Sequence, residues 1–146
     1  MKKNRILIPA FLLFFLLTGC SNLGFRINPT PIPEGMDETA TVQAACDIVT
    51  LLSNEDYQAV VDKFRDDLVE EYNVSTETIR DMMDAISKAG SFVEVESTVA
   101  VGASNKDSGE EYAAVGVYAK HESKKVAYTI SLDTDLALIG LQMKLR

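Results

Sequence analysis

The sequence predicts an α+β fold in which three N-terminal helices pack on a four-stranded antiparallel sheet. Between residues 37 and 90, apolar residues recur every three or four positions, as on one face of an α-helix. From residue 92 to residue 145 they recur at every second position, as on one face of a β-strand. The turns between the strands are too short for parallel crossovers, so the strands should form hairpins. We expect the helices to cover one face of this sheet.

The first and third helices carry recognisable end signals. Asp37 or Thr39 is the candidate N-cap of the first helix and Ser75 that of the third, because their side-chain oxygens can accept hydrogen bonds from free backbone N–H groups. Gly90 suits the left-handed position at which a helix ends. The apolar stripes of the two helices consist of Val42, Ala45, Cys46, Val49 and Leu52, and of Ile79, Met82, Met83 and Ile86.

The second helix is predicted to begin at a segment that resembles a capping box. Ser53 would be the cap, with Asp56 three residues later. From Tyr57 to Tyr72 apolar residues recur in steps of three and four, which is typical of a helix that packs by one face. The sequence leaves open whether this helix is continuous past Phe64.

Four strands follow, separated by clusters of turn-forming residues. The turns are expected at residues 105–109, at residues 121–124 and at residues 133–135. His121 is the only histidine of the chain, and its position among polar residues predicts an exposed surface turn. The predicted strands are residues 92–101, 112–119, 126–132 and 139–145.

The alternation within the strands predicts what lines the inside of the fold. In the first strand the valines share one phase, while Glu94 and Glu96 occupy the other. An unpaired carboxylate is costly to bury, and none occupies the apolar phase of the first, third or fourth strand. We therefore expect side chains to fill the space between helices and sheet, without a converging pair of titratable groups. The valines predicted to face inward are Val93, Val95, Val99 and Val101.

Three short segments resemble a known fold. They are residues 54–60 (NEDYQAV) ahead of Phe64, residues 90–92 (GSF) after the third helix, and residues 139–141 (IGL) in the last strand. Together with the order of elements, they resemble the nuclear transport factor 2-like (cystatin-like) fold. Within it, the chain resembles a family of unknown function found largely in Gram-positive exported and lipid-anchored proteins. The resemblance covers most of the chain after the N-terminal segment.

The resemblance implies an accessory role, since members of this family also occur beside hydrolase domains. Some relatives of the fold are enzymes, including ketosteroid isomerase-like proteins, which use a Tyr–acid pair in the cone between sheet and helices. In this chain Asp133 and Asp135 lie in a turn, where a general base seldom reaches a substrate. The residues that could line such a pocket are Tyr57, Phe64, Phe92, Tyr128, Ile130, Ile139 and Leu141.

The first twenty residues resemble the signal peptide of a bacterial lipoprotein. A cationic start, residues 1–5, precedes the apolar run of residues 6–17. About twelve residues span roughly 18 Å as a helix, short of the roughly 30 Å of a bilayer core. Leu17, Thr18 and Gly19 then precede Cys20 as in a lipobox. We expect cleavage before Cys20 and a lipid on its sulfur, which holds the protein on the outer face of a cell membrane, with a Gram-positive bacterium as the expected source.

The chain is thus predicted to have three parts. Residues 1–19 form the signal peptide, residues 20–36 form a lipidated, proline-rich tether, and residues 37–146 form a single α+β domain. Pro29, Pro31 and Pro33 favour an extended backbone in the tether. This segment would lift the domain from the lipid surface.

The charge balance argues against nucleic acid as a partner. Residues 1–19 contain three of the 14 basic residues and no acid, so their removal leaves 11 basic against 22 acidic residues. An excess of negative charge is repelled by phosphate backbones and by anionic headgroups. Solubility is the simplest explanation of this excess.

The candidate metal ligands and nucleophiles are few. Lipid on Cys20 would leave Cys46 as the one free thiol, and its place on the first apolar stripe predicts a shielded side chain. Cys46 and His121 lie in different halves of the chain, outside any zinc-type spacing. Asp133 and Asp135 lack the remaining positions of a calcium loop. No metal or cofactor is expected.

The sequence therefore favours a surface-tethered, noncatalytic accessory or binding module. Its partners would be the membrane, through the lipid on Cys20, and a small apolar ligand or an envelope protein. The alternative is a small extracytoplasmic enzyme, a hydrolase or isomerase, with its site in the cone between helices and sheet. A structural protein of the envelope or of a mobile element is a third possibility. The sequence does not indicate the oligomeric state.

Overall fold

The computed structural model describes residues 30–146, and the predicted signal peptide and Cys20 lie outside the described residues. In this part of the chain, four α-helices and a 3₁₀ turn precede four strands. No helix within residues 30–146 is long and apolar enough to span a membrane. The elements are α1 (Glu38–Ser53), α2 (Tyr57–Val61), α3 (Asp66–Tyr72), α4 (Thr76–Ala85), the 3₁₀ turn Ser87–Ala89, β1 (Phe92–Ser104), β2 (Glu111–His121), β3 (Lys125–Leu132) and β4 (Leu138–Leu145).

The four strands form one antiparallel meander in the order β1-β2-β3-β4. Helix α1 contacts β1, β2 and β3, and the core lies between this helix layer and the sheet. The predicted α+β fold, with helices packed on a four-stranded antiparallel sheet, is confirmed. The fully buried side chains of the core include Leu52, Val60, Ile79, Val115, Val117, Tyr128, Ile130, Leu132 and Leu138.

The second predicted helix is two short helices, α2 and α3, so the helix layer has four members instead of three. The break lies at residues 63–65, whose backbone pairs with β4. Leu138 donates its N–H to the carbonyl of Lys63, and Arg65 donates its N–H to the carbonyl of Leu138. These long-range bonds replace helical ones, because an N–H can satisfy only one such partner well. Phe64 forms the corresponding bridge to Leu138.

Three acidic or hydroxyl side chains cap the helices. Asp37 accepts a hydrogen bond from the N–H of Ala40 at 2.7 Å, and Ser75 accepts one from Thr78 at 3.2 Å, as predicted. The predicted cap at Ser53 is wrong, since Ser53 is the last residue of α1. Asp56 caps α2 instead.

The predicted phase of β1 is wrong at most of its valines. Two register shifts, between residues 92 and 94 and between residues 95 and 97, interrupt the alternation. Each bulge adds a residue to one strand and so exchanges the two faces. Val95, between the bulges, pairs with the buried Ala119, whereas Val99 and Val101, beyond the second bulge, pair with residues on the face that the helices leave open. Val93, Val95 and Val99 are all exposed.

A similar irregularity shifts β4. The register changes between Ser131 and Leu132, so that Leu132 pairs with Leu138. Leu138 is fully buried, whereas Ile139 is half-buried and does not pack on the core cluster. The inner phase resumes at Leu141, which pairs with Ile130.

Residues 30–33 form a strap that crosses the edge of the sheet before α1 begins. Gly102 in β1 donates its N–H to the carbonyl of Thr30 at 2.7 Å, and Pro33 is buried. A β-carbon at Gly102 would collide with the carbonyl of Pro31, so the strap can lie this close only over glycine. This part of the predicted tether packs against the domain.

Candidate ligand-binding cleft

A cleft of about 520 Å³ opens where the end of α1 and the end of α4 meet the β2–β3 hairpin. We call it the helix-side cleft. It draws on three stretches of the chain that are remote in sequence, residues 52–57, 83–92 and 121–122, as ligand sites commonly do. Its lining consists of Leu52, Ser53, Asn54, Glu55, Tyr57, Met83, Asp84, Ser87, Gly90, Ser91, Phe92, His121 and Glu122.

His121 forms the inner wall of the cleft, and the predicted exposed turn at this position is wrong. The side chain is 5% exposed and lies at the end of β2, two residues further than the predicted strand. In β2 the buried positions are every second residue from Ala113, a phase that reaches His121 through Ala119. The sequence does not reveal this phase, because residues 112–119 are apolar or small on both faces of the strand.

Both ring nitrogens of His121 are engaged by protein groups. Nδ1 lies 2.8 Å from the carbonyl oxygen of Gly90, and Nε2 lies 2.9 Å from the hydroxyl of Tyr128. A carbonyl oxygen can only accept, so Nδ1 carries the proton and donates it. In the neutral ring, Nε2 then accepts the hydrogen bond of the Tyr128 hydroxyl. The ring has no nitrogen left for a ligand.

Tyr128 lies behind His121 and is fully buried in the core. Burial raises the pKa of its hydroxyl to about 12, because the phenolate would lose its hydration. The expectation that no titratable groups converge inside the fold is therefore wrong, since His121 and Tyr128 meet there. The partner of Tyr128 is a histidine and not a carboxylate. Phe92 completes the wall, with its ring edge-on to His121 at 5.8 Å between centroids.

Three carboxylates and no Lys or Arg line the cleft: Glu55 before α2, Asp84 on α4 and Glu122 in the hairpin. Glu122 accepts a hydrogen bond from the N–H of Ser91 at 3.2 Å. Arg80 stacks over the ring of Tyr57, a lining residue, at 5.7 Å from its centroid. Burial and the neighbouring Glu55 raise the pKa of Tyr57. The cleft therefore has acidic and aromatic character.

The structure separates the residues that were predicted to line a pocket. Tyr57 and Phe92 line the helix-side cleft, and Tyr128 lies one side chain behind it. Ile130 and Leu141 pack in the core. The remaining two are distant from the cleft: Phe64 bridges to Leu138 at the other end of the sheet, and Ile139 lies in the irregular part of β4.

A second polar cluster lies at the other end of the sheet, around Arg65. Its guanidinium pairs with Asp67 and Glu110 and lies 3.6 Å from Asp133. Asp133 is buried and accepts hydrogen bonds from the N–H groups of Asp135 and Ala137, which close the β3–β4 turn. Within residues 30–146, no group of three or more His, Cys, Asp or Glu side chains could hold a metal ion. The cluster ties three loops together.

The architecture defines an α+β domain with helices on one face of an antiparallel meander. A family model described as a protein of unknown function, DUF3887, matches residues 45–141. The chain therefore belongs to the DUF3887 family. No curated protein matches the chain.

A solved structure supports the fold. It is the NMR structure of a protein from Ruminococcus gnavus ATCC 29149, to which this chain is similar with a TM-score of 0.65 and 22% sequence identity. The match covers 78% of this chain and 96% of the other. At this identity the similarity concerns the fold alone. Nearly the whole of the Ruminococcus gnavus protein thus corresponds to the domain described here.

Proposed function

We propose that this protein is a lipoprotein of the outer face of the cell membrane, and that its domain is a noncatalytic module that binds a polar, amine-bearing ligand in the helix-side cleft. We also propose that the domain belongs to the nuclear transport factor 2-like fold. The order of elements, helices followed by a four-stranded antiparallel meander, supports this assignment. The lipobox-like residues Leu17, Thr18 and Gly19 before Cys20 support the anchor.

The observation that carries the noncatalytic proposal is that both ring nitrogens of His121 are already hydrogen-bonded to protein groups. A general base needs a free lone pair to accept a proton from the reacting group, but Nε2 already accepts a hydrogen bond from the Tyr128 hydroxyl, and the N–H at Nδ1 donates to the carbonyl of Gly90. The carboxylates of the cleft lie on Glu55, Asp84 and Glu122, all of which are exposed. Exposed carboxylates bind cations readily but are rarely tuned for proton transfer at neutral pH.

The lining also indicates the chemistry of the ligand. Three carboxylates beside Tyr57 and Phe92 favour a group that carries positive charge next to apolar surface. The polar lining fits such a ligand better than the small apolar ligand suggested by the sequence. An exposed basic segment of an envelope protein would present the same chemistry.

The enzyme alternative has one observation in its favour, the His121–Tyr128 hydrogen bond at the wall of the cleft. A ligand that displaced the tyrosine would free Nε2. This alternative predicts that Tyr128→Phe alters turnover of an activated ester such as p-nitrophenyl acetate, relative to the same domain with Tyr72→Phe. If the unchanged domain, Tyr128→Phe and Tyr72→Phe all hydrolyse the ester at the same background rate, the noncatalytic proposal is supported.

The anchor is tested by metabolic labelling with a radioactive fatty acid. We expect Cys20→Ala to abolish labelling and Cys46→Ala to leave it unchanged, because the half-buried Cys46 thiol packs against the core. Burial also raises the pKa of this thiol. Undiminished label in Cys20→Ala would overturn the proposed anchor.

The cleft is tested by NMR titration of the domain with a trilysine peptide, with triglutamate and decanoate as comparison probes. We expect trilysine alone to shift the amide signals of Glu55, Ser87 and Ser91. Glu55→Gln with Asp84→Asn should weaken the shifts at Ser87 and Ser91, because opposite charges attract across the cleft. The matched control is Asp62→Asn with Asp107→Asn, two exposed acids outside the cleft. Shifts from decanoate at these sites, and none from trilysine, would overturn the proposed ligand chemistry.

A further inference from the structure

The β2–β3 hairpin gathers half of the basic residues of the described chain. Residues 30–146 contain ten Lys and Arg against 22 Asp and Glu, yet five of the ten lie at one corner of the sheet. We call this corner the hairpin basic patch. It consists of Lys120, Lys124, Lys125, Lys144 and Arg146.

The patch lies on the face of the sheet opposite to the helices. Lys120 pairs with Lys125 across β2 and β3, and Lys144 pairs with Ala127 across β3 and β4. Their neighbours Ala119 and Val126 are buried towards the helices, so alternation turns these lysines outward. Four of the five cations surround a concavity of about 490 Å³ on this side of the hairpin.

Arg146 holds the centre of the patch. Its N–H donates to the carbonyl of Lys125 at 2.8 Å, which fixes it beside β3. Its guanidinium stacks over the ring of Tyr118 at 5.4 Å. The position of Arg146 is thus fixed by the fold, and its guanidinium remains exposed to solvent.

Three carboxylates face the patch and do not neutralise it. Glu96 pairs with Lys125 at 2.7 Å, Glu94 lies opposite Lys120 across the strands, and Glu122 lines the concavity. Five cationic side chains remain against these three, and an α-carboxylate on Arg146 would bring the negative groups to four. Acidic residues that lie more than roughly 10 Å from the patch act on it only weakly, because 0.1 M salt screens charges over that distance.

We infer that the hairpin basic patch docks on the phosphate groups of anionic phospholipids at the membrane surface. Clustered lysines attract such a surface even when the protein as a whole is acidic, because only nearby charges count. The negative net charge of the sequence predicts repulsion from anionic headgroups. Because the basic residues cluster at one corner of the domain, this repulsion does not apply to that corner.

The covalent path to the lipid is long enough for this contact. Cys20 and Thr30 are ten residue steps apart, which allows at most about 36 Å of extended chain. From Gly102, where the strap lies, to Glu94 beside the patch, eight residues of β1 span roughly 26 Å. A patch with weak affinity can still bind the membrane when a lipid anchor holds it near the surface, because tethering raises its local concentration there. In this respect the inference rests on the proposed lipid anchor.

The experiment replaces the natural anchor, so that a failure of the lipid proposal does not affect it. Residues 21–146 carry an N-terminal decahistidine tag and are bound to vesicles that contain a nickel-chelating lipid. The remaining lipid is phosphatidylcholine alone or phosphatidylcholine with phosphatidylglycerol. The rate at which an amine-reactive ester labels each lysine is measured by mass spectrometry.

With phosphatidylglycerol we expect labelling of Lys120, Lys124 and Lys144 to slow by about threefold or more, because the headgroups cover them. Two exposed lysines remote from the patch, Lys63 and Lys106, are internal controls whose rates should not change. Equal rates at the patch lysines in the two kinds of vesicle would overturn the inference.

Two matched variants separate the patch from net charge. Lys120→Gln and Lys124→Gln together should strongly reduce the protection of Lys144. Lys63→Gln and Lys106→Gln together remove the same charge elsewhere and should preserve it. If both double variants lose protection equally, net charge and not the patch is responsible.

A last arm distinguishes lipid from free phosphate. Millimolar glycerol phosphate is added to the protein on phosphatidylcholine vesicles. We expect no protection, because one soluble phosphate cannot contact several lysines at once as a headgroup layer does. Protection of the patch lysines by glycerol phosphate would identify a site for a free anion and overturn membrane docking.

Discussion

The helix-side cleft and the hairpin basic patch lie on opposite sides of the same hairpin and have opposite charge. His121 and Glu122 line the concavities on both sides. On the helix side, His121 is buried and both ring nitrogens are bonded to protein groups. On the other side, the lysines are exposed and largely hydrated. Alternation along β2, with His121 inward and Lys120 outward, places two chemically different surfaces one residue apart.

The helix-side cleft and the hairpin basic patch contribute differently to stability. Buried polar groups on the helix side must keep their partners, because an unpaired group in the core retains its desolvation cost. Exposed lysines on the other side interact through water and salt, and their loss changes folding little. Substitutions should therefore affect folding on one side and binding on the other.

The largest effect is expected from His121→Ala. This change leaves the Tyr128 hydroxyl unpaired and opens a cavity beside Phe92, which should lower the free energy of unfolding by about 3 kcal/mol. Urea denaturation measures the change. The neighbouring Lys120→Ala is the control and should stay within about 0.5 kcal/mol. Similar losses for the two variants would break the contrast between the sides.

Gly90→Ala should cost about 2 kcal/mol, from backbone strain and from a clash. Gly90 has φ of 78°, and a β-carbon there would lie 3.0 Å from Cβ of Glu122. Gly109→Ala separates the two causes, because Gly109 has φ of 75° with open space around it. A cost at Gly90 no greater than that at Gly109 would show that the contact with Glu122 is not required.

Tyr128 should make stability fall at alkaline pH. Because its pKa is raised to about 12, the folded state keeps a proton that the unfolded state releases above its usual pKa of about 10. The contribution is unchanged below the unfolded pKa and is lost as pH rises from about 10 towards 12, by roughly 1 kcal/mol at pH 11. Chemical denaturation at pH 8 and pH 11 measures it.

Tyr128→Phe is the reference for this pH effect. The variant lacks the ionisable hydroxyl and should lose less stability between pH 8 and pH 11, although it starts roughly 1 kcal/mol less stable because Nε2 of His121 loses its partner. Parallel losses in the two proteins would mean that Tyr128 ionises as easily in the folded state as in the unfolded one.

The smallest effect is expected on the basic side. Lys125→Met removes the ion pair with Glu96. The side chains of Lys125 and Glu96 are 62% and 33% exposed, so the loss should change the free energy of unfolding by less than about 0.5 kcal/mol. The difference should shrink further in 1 M sodium chloride, which screens exposed pairs. A cost above 1 kcal/mol that salt leaves unchanged would place this pair among the structural contacts.

Sequence patterns predicted the elements that depend on neighbours along the chain. The caps at Asp37 and Ser75 and the turn at residues 105–109 are local, because each side chain bonds backbone only a few residues away. The break at Phe64 was left open, since its cause is a backbone bond to Leu138 across more than seventy residues. Local periodicity carries no information about such a partner.

The candidate site was harder to predict, and for two different reasons. The bulge between residues 95 and 97 places Val99 and Val101 on the face opposite to Val95, and nothing in the local composition marks a bulge. The burial of His121 could not be predicted, because residues 112–119 of β2 are apolar or small on both faces and the buried phase that reaches His121 is visible only in the structure. The acidic cleft and the basic patch each depend on residues from separate strands or helices, so only the fold brings them together.

The strap over Gly102 determines where a mechanical load enters the domain. A pull on the segment ahead of Thr30 acts first on its hydrogen bond to β1 and on the buried Pro33, before it reaches α1. The force is then shared with the edge of a four-stranded sheet, whose strands must slide or peel as a set. The first turn of α1, held by the Asp37 cap, is shielded until the strap has been stripped away.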